Sequence, residues 1–158
     1  MIFYTTLTTP LGELKLLANT THMLAILWEN SSINSQKFPC LSENASLPIF
    51  QEAAFQLQEY FAKKRQTFTL PLNMQGTEFQ LSVWKALNTI PYGKTFSYLD
   101  IAKSIAKPKA VRAVGMTIGK NPFSIVIPCH RVIGSNGKLT GFAGGLAAKQ
   151  FLLNHETL

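Results

Sequence analysis

Cysteine is scarce in this 158-residue chain: Cys40 and Cys129 stand alone in unlike contexts, so neither a disulfide framework nor a four-ligand metal site fits. No apolar run approaches the about 18 residues that a membrane-crossing helix needs. The opening Met1-Ile2-Phe3-Tyr4-Thr5 lacks the basic-then-apolar pattern of a secretory leader. The expected setting is a reducing cytoplasm, with no membrane partner. Acidic side chains are sparse in one half only. Residues 1–72 hold five basic and five acidic residues, whereas residues 73–158 hold ten basic and three acidic and so carry the whole net charge of +7. That asymmetry places a polyanion on the C-terminal half, because phosphate contacts dominate nucleic-acid affinity.

What is present, 46% apolar residues, suffices for one good core or two small ones. Ile2 to Thr6, Glu13 to Ala18 and Met23 to Trp28 read as strands, with turns at Thr9-Pro10-Leu11-Gly12 and Asn19-Thr20-Thr21-His22 making an antiparallel meander. Residues 30–47 read as a loop and Pro48 to about Ala62 as a helix, with Lys63-Lys64-Arg65 in its last turn. Phe68, Leu70 and Leu72 alternate as an edge strand would, given Pro71. A boundary near Asn73 to Gly76 divides a structural domain, 1–72, from a domain at 73–158.

The second domain opens with Thr77 and Gln80 at capping-box spacing, before a helix whose Phe79, Val83, Leu87 and Ile90 share one face. Ser97 and Asp100 frame a second helix, and Pro108 suits the first turn of a third that runs to about Ile118. Two short helices joined tightly are a helix-turn-helix signal. The third carries small residues, Ala110, Ala113, Val114 and Thr117, with Lys109 and Arg112 projecting from it. That combination suits a DNA groove, although close packing on a neighbouring helix explains the alanines equally well. Leu146 to about His155 forms a last helix.

The chemistry sits in Ile125-Val126-Ile127-Pro128-Cys129-His130-Arg131-Val132-Ile133. Its two β-branched runs read as buried strands, and Pro128 marks the bend from which Cys129 faces a cleft. An adjacent imidazole and cation raise the thiolate fraction of a cysteine. Most unpaired intracellular cysteines are small buried hydrophobes. Here the turn pair Asn121-Pro122, the hairpin signal Asn136-Gly137 and the glycine-rich Gly141, Gly144 and Gly145 favour a cysteine presented to a ligand.

Pro128-Cys129-His130-Arg131-Val132-Ile133-Gly134, with Arg112-Ala113-Val114-Gly115 and Asn121-Pro122 before it and Gly144-Gly145-Leu146 and His155-Glu156 after, resembles the O6-alkylguanine-DNA alkyltransferases, or methylated-DNA–protein-cysteine methyltransferases. The resemblance covers residues 77–158; residues 1–72 share length and general pattern. It implies an α/β N-terminal domain of ribonuclease H-like type, an antiparallel three-stranded sheet with a helix, and a mainly α, winged helix-turn-helix-like C-terminal domain. It implies a monomer without cofactor that moves an alkyl group from guanine O6 in duplex DNA, with O4-alkylthymine a second candidate, to Cys129 in a single turnover. His130 would be the base, acting through a water and oriented by Glu156, while Asn121 would support the turn. Tyr98 would push on the target phosphate and donate a proton to the departing base. Arg112 would fill the gap left by the flipped nucleotide, with Lys109, Ala110 and Ala113 beside it on the DNA. Ile118, Val132, Phe142, Ala143 and Gly144 would frame the base.

Phe142 stands where many relatives have tyrosine and Ala143 where some have serine, so recognition of O6 would rest more on backbone N–H groups. The zinc ligands of some relatives have no counterpart. Two other readings remain: a DNA-binding protein that senses alkyl lesions without chemistry, and a cysteine hydrolase unrelated to DNA.

Overall fold

Leu14, Leu16 and Leu17 lie within one strand and are all fully buried, which requires cover on both faces of a sheet. The computed structural model, which describes residues 1–29 and 41–157, supplies it. Strands β1 (Ile2–Thr9), β2 (Gly12–Ala18) and β3 (Met23–Trp28) form the expected antiparallel meander. A short fourth strand, β4 (Leu41–Glu43), extends it parallel to β1, giving the order β3-β2-β1-β4. Part of the loop expected at residues 30–47, and Cys40 with it, lies outside the described residues. Strand register puts Leu14, Leu16, Ile26 and Trp28 on one face and Leu17, Ala25 and Leu27 on the other.

Helix α1 (Pro48–Phe61) buries Phe50, Ala53, Leu57 and Tyr60, each large side chain contributing about 1.5–3 kcal/mol of apolar burial. It stops before Lys63-Lys64-Arg65, so that cluster does not occupy the last turn. Lys63 takes a left-handed conformation (φ 61°), with its N–H donating to the Tyr60 carbonyl and that of Lys64 to the Glu59 carbonyl. Arg65 folds back on Glu59 at 2.8 Å. Phe68 to Leu72 does not form a strand. Proline offers no N–H to a ladder, and only one bridge joins Leu72 to Met23, where the Pro71 carbonyl accepts from the Met23 N–H at 2.8 Å.

The chain divides into two compact units, Met1–Met74 and Gln75–Leu158. In the second, α2 (Glu78–Leu87) and α3 (Tyr98–Ser104) each open with a full capping box, Thr77 with Gln80 and Ser97 with Asp100. Helix α4 (Val111–Ile118) follows, and Pro108 lies in the turn before it rather than in its first turn, because Ala110 is the capping position. The three helices pack on one another, with the Trp84 indole N–H donating to the Thr117 carbonyl at 3.0 Å. Two-residue strands β5 (Phe96–Ser97) and β6 (Val132–Ile133) pair in parallel, and α5 (Leu146–His155) closes the unit. Asn136-Gly137 makes a turn, with the Gly134 N–H donating to the Lys138 carbonyl, but no strand pair extends from it. Among the described residues, no helix is long and apolar enough to cross a membrane.

The turn between α3 and α4 has the same helix ending as α1: Ala106 sits at φ 60°, its N–H donating to the Lys103 carbonyl while that of Lys107 reaches the Ala102 carbonyl. A Cβ is unfavourable in this conformation. Ala106→Gly is therefore expected to stabilise the protein by about 0.5–1 kcal/mol in urea denaturation, the released strain outweighing the added chain entropy. Ala106→Val should act in the opposite direction.

Candidate active site

Beyond α4 the backbone is bent by one side chain. Asn121, only 4% exposed, donates from Nδ2 to the Ile127 carbonyl at 2.8 Å and accepts from the Phe123 N–H at Oδ1, at 2.9 Å. Inside this loop the Val126 N–H donates to the Ser124 carbonyl across Ile125, whose φ is +72°. That is a γ-turn of the strained sense, held by a β-branched residue. A second, relaxed γ-turn follows: Pro128 (φ −80°, ψ 63°) lies between the Ile127 carbonyl and the Cys129 N–H, 2.8 Å apart. Residues 125–127 are thus turns, not the strand that their β-branched side chains suggest. Asn121 and neighbouring main-chain groups satisfy the hydrogen bonds that a second strand would otherwise provide.

Cys129, His130 and Arg131 form one 3-10 turn, all of them buried. The imidazole Nε2 of His130 lies 2.7 Å from Glu156 Oε2. Arg131 donates to the same carboxylate from Nε (2.7 Å to Oε1) and Nη2 (3.1 Å to Oε2), and from Nη1 to the Ile90 carbonyl at 2.7 Å. The guanidinium expected to polarise the thiol is therefore committed to Glu156. The other ring nitrogen of His130, Nδ1, is buried and has no protein hydrogen-bond partner. With Nε2–H donated to the carboxylate, Nδ1 is left as a bare acceptor.

Burial pushes the Cys129 thiol pKa up, opposed by the Asn121 amide, the Lys149 ammonium and the N–H groups of Cys129 and His130. Burial likewise pulls His130 below its ordinary 6.5 against the pull of Glu156. The resting pair is therefore a neutral thiol and a neutral imidazole. Lys149, on α5, is 1% exposed and donates to the Thr140 carbonyl at 3.2 Å. It supplies the cationic influence on sulfur that Arg131 does not.

Cys129 opens on a cavity of about 10 Å³, room for about one water. Ile118, Phe142 and Ala143 line it as expected, with Gly119, Asn121, Ser124 and Gly141. Val132 is fully buried in β6, and neither it nor Gly144 lines the cavity. Tyr98, the first residue of α3, pairs its hydroxyl with that of Thr140 at 2.5 Å, and its ring lies against Gly115. Arg112 and Ala113 are exposed on α4, Ala110 caps that helix and Lys109 is exposed in the turn before it. Sequence reasoning missed Lys149 and Thr140. The signal for Lys149 was its spacing, since Lys149, Leu152 and Glu156 recur along one buried helical face. Among the described residues, no group of three or more His, Cys, Asp or Glu side chains could hold a metal ion.

Residues 78–158 match the family model of the 6-O-methylguanine DNA methyltransferase DNA binding domain, and residues 2–74 that of its ribonuclease-like domain. A constitutive methylated-DNA–protein-cysteine methyltransferase of Bacillus subtilis (strain 168) is 46% identical over 160 residues, spanning 100% of this chain and 97% of its own. The methylated-DNA–protein-cysteine methyltransferase of Mycobacterium tuberculosis (strain H37Rv) is 44% identical over 161 residues, 99% of this chain and 93% of its own. The crystal structure of Mycobacterium tuberculosis OGT in complex with DNA superposes with a TM-score of 0.93 at 41% identity, covering 98% of this chain and 92% of that one.

Glu156→Gln should cost about 3–5 kcal/mol in urea denaturation, because Arg131 would be left as a buried, uncompensated charge. The depressed pKa of His130 sets a pH slope of its own. Below pH 6.5 the unfolded chain takes up a proton that the buried ring refuses, so stability falls as pH drops towards the folded pKa. The urea midpoint should fall between pH 7 and pH 5, and less steeply in a His130→Asn variant.

Proposed function

The chain belongs to the 6-O-methylguanine DNA methyltransferase family, and we propose that it repairs duplex DNA by direct reversal, moving an alkyl group from guanine O6 to the sulfur of Cys129. The observation that carries this reading is a nucleophilic thiol opening on a cavity beside a neutral imidazole that is anchored by a buried carboxylate. Cys129 gives up its proton, through a water, to His130 Nδ1. Glu156 stabilises the imidazolium that forms, and Lys149 and Asn121 favour the thiolate. Sulfur then attacks the saturated carbon in line; the C–S bond forms as the C–O6 bond breaks, and the electron pair leaves with the guanine. Tyr98 supplies a proton to the departing base. The phenol then regains a proton from solvent as the imidazolium releases one, so that overall one proton leaves the thiol, one arrives on guanine, and the alkyl group passes to sulfur.

The product is a thioether. It has no acyl carbon for water to attack, so the thiol is not regenerated and each molecule acts once. O6 is inaccessible in a stacked duplex, so the nucleotide must turn out of the helix. Arg112, exposed on α4, fills the gap it leaves, with Ala113 allowing close approach and Lys109 meeting phosphate. A purine is larger than the cavity of about 10 Å³, so the flipped base is received at its open side, against Gly141–Ala143. In this reading residues 75–158 bind DNA and accept the alkyl group, while residues 1–74 have a structural role. The protein acts on duplex DNA in a reducing cytoplasm, where the thiol persists.

Mixed with a duplex bearing O6-methylguanine, the protein should gain one methyl group on the peptide that contains Cys129, read by mass spectrometry, and restore one guanine per molecule. Cys129→Ser should transfer nothing yet bind the duplex. Methyl found elsewhere, or many guanines restored per molecule, would sink the proposal. Arg112→Ala should slow transfer from duplex more than from single-stranded substrate, since only the duplex leaves a stacking gap to fill.

A further inference from the structure

Thr140 joins three parts of the second unit that sequence reasoning left separate. Its hydroxyl pairs with the Tyr98 hydroxyl at 2.5 Å, its carbonyl accepts from the buried Lys149 ammonium at 3.2 Å, and its peptide leads directly into Gly141, Phe142 and Ala143, which wall the Cys129 cavity. The Tyr98 ring lies beside α4: a Cβ built at Gly115, in the middle of that helix, would stand 3.6 Å from it, while the phenol oxygen meets Thr140. Only one turn along α4, Ile118 and Gly119 line the same cavity.

We propose that Thr140 is a positioning residue for the transfer step, its hydroxyl holding the Tyr98 oxygen beside the loop that walls the Cys129 cavity so that the phenol proton is directed at the departing base. The inference rests on the role assigned to Tyr98 above. Two hydroxyls in contact share one hydrogen between their oxygens. When Thr140 donates, its O–H occupies a lone pair of the Tyr98 oxygen and leaves the Tyr98 O–H free to point outward. As that proton passes to guanine, the Thr140 O–H remains bonded and strengthens against the developing phenolate, because hydrogen bonds to charged oxygen are the stronger kind. Thr140 keeps its proton throughout. The Lys149 bond to its carbonyl fixes the backbone from which the hydroxyl is presented.

Single-turnover transfer from O6-methylguanine duplex, measured at saturating protein alongside the Kd for the same duplex, tests this. Thr140→Val keeps the shape and the carbonyl but removes the hydroxyl, and should lower the first-order transfer rate about 3- to 10-fold with the Kd unchanged. Thr140→Ser should restore the rate. Tyr98→Phe should slow transfer on its own, and adding Thr140→Val to it should slow it no further. A normal rate in Thr140→Val, or losses that multiply in the double variant, overturns the role of Thr140 while leaving that of Tyr98 intact. A normal rate in Tyr98→Phe overturns both, and a wild-type protein that transfers nothing overturns the function itself.

Discussion

One carboxylate organises the second unit. Glu156 is 1% exposed and binds His130 with one oxygen while Arg131 grips both. Withdrawing these groups from water is expensive, and a buried ion pair is weak evidence of stability in itself. Its effect here is geometric. His130 and Arg131 are adjacent in one tight turn, so a single acceptor at the end of α5 fixes the orientation of that turn and the tautomer of the ring. The Ile90 carbonyl, taken by the third arm of the guanidinium, ties the same node to the segment that follows α2.

The cysteine is held from the opposite side by backbone curvature. Ile125 occupies a conformation that costs a β-branched residue about 1–3 kcal/mol. Asn121 maintains it by occupying the Phe123 N–H and the Ile127 carbonyl. That carbonyl also receives the Cys129 N–H, so one oxygen links the amide that shapes the loop to the residue that carries the sulfur. Strain of this kind persists only where surrounding contacts over-determine it, which describes a site assembled before its substrate arrives.

Much of this could be read from the residues alone, where the cause was local. The capping boxes at Thr77 and Ser97, the helical stripe of α2 and the meander of β1 to β3 depend on spacings of a few residues. The adjacency of Cys129 and His130 in one turn was legible for the same reason. Hidden features depend on distant partners. Strand β4 is only three residues long and pairs with the N-terminal strand. Ile125 to Ile127 look like a strand because propensity cannot see that Asn121 will satisfy their backbone. Arg131 looks like a neighbour of the thiol until Glu156, 25 residues later, claims it. Lys63 and Ala106 end helices in a conformation usually given to glycine, so nothing in their identity announced it.

The burial that raises the Cys129 pKa also bears on how long the protein lasts. Under the proposed single-turnover transfer, a molecule is wasted if peroxide or a free alkylating agent reaches it before damaged DNA does. Oxidation and chance alkylation both follow thiolate character and access. A protonated sulfur that is only 7% exposed offers little of either, so the resting molecule stores its reactivity. Its shelf life is set by the same desolvation that keeps the sulfur protonated.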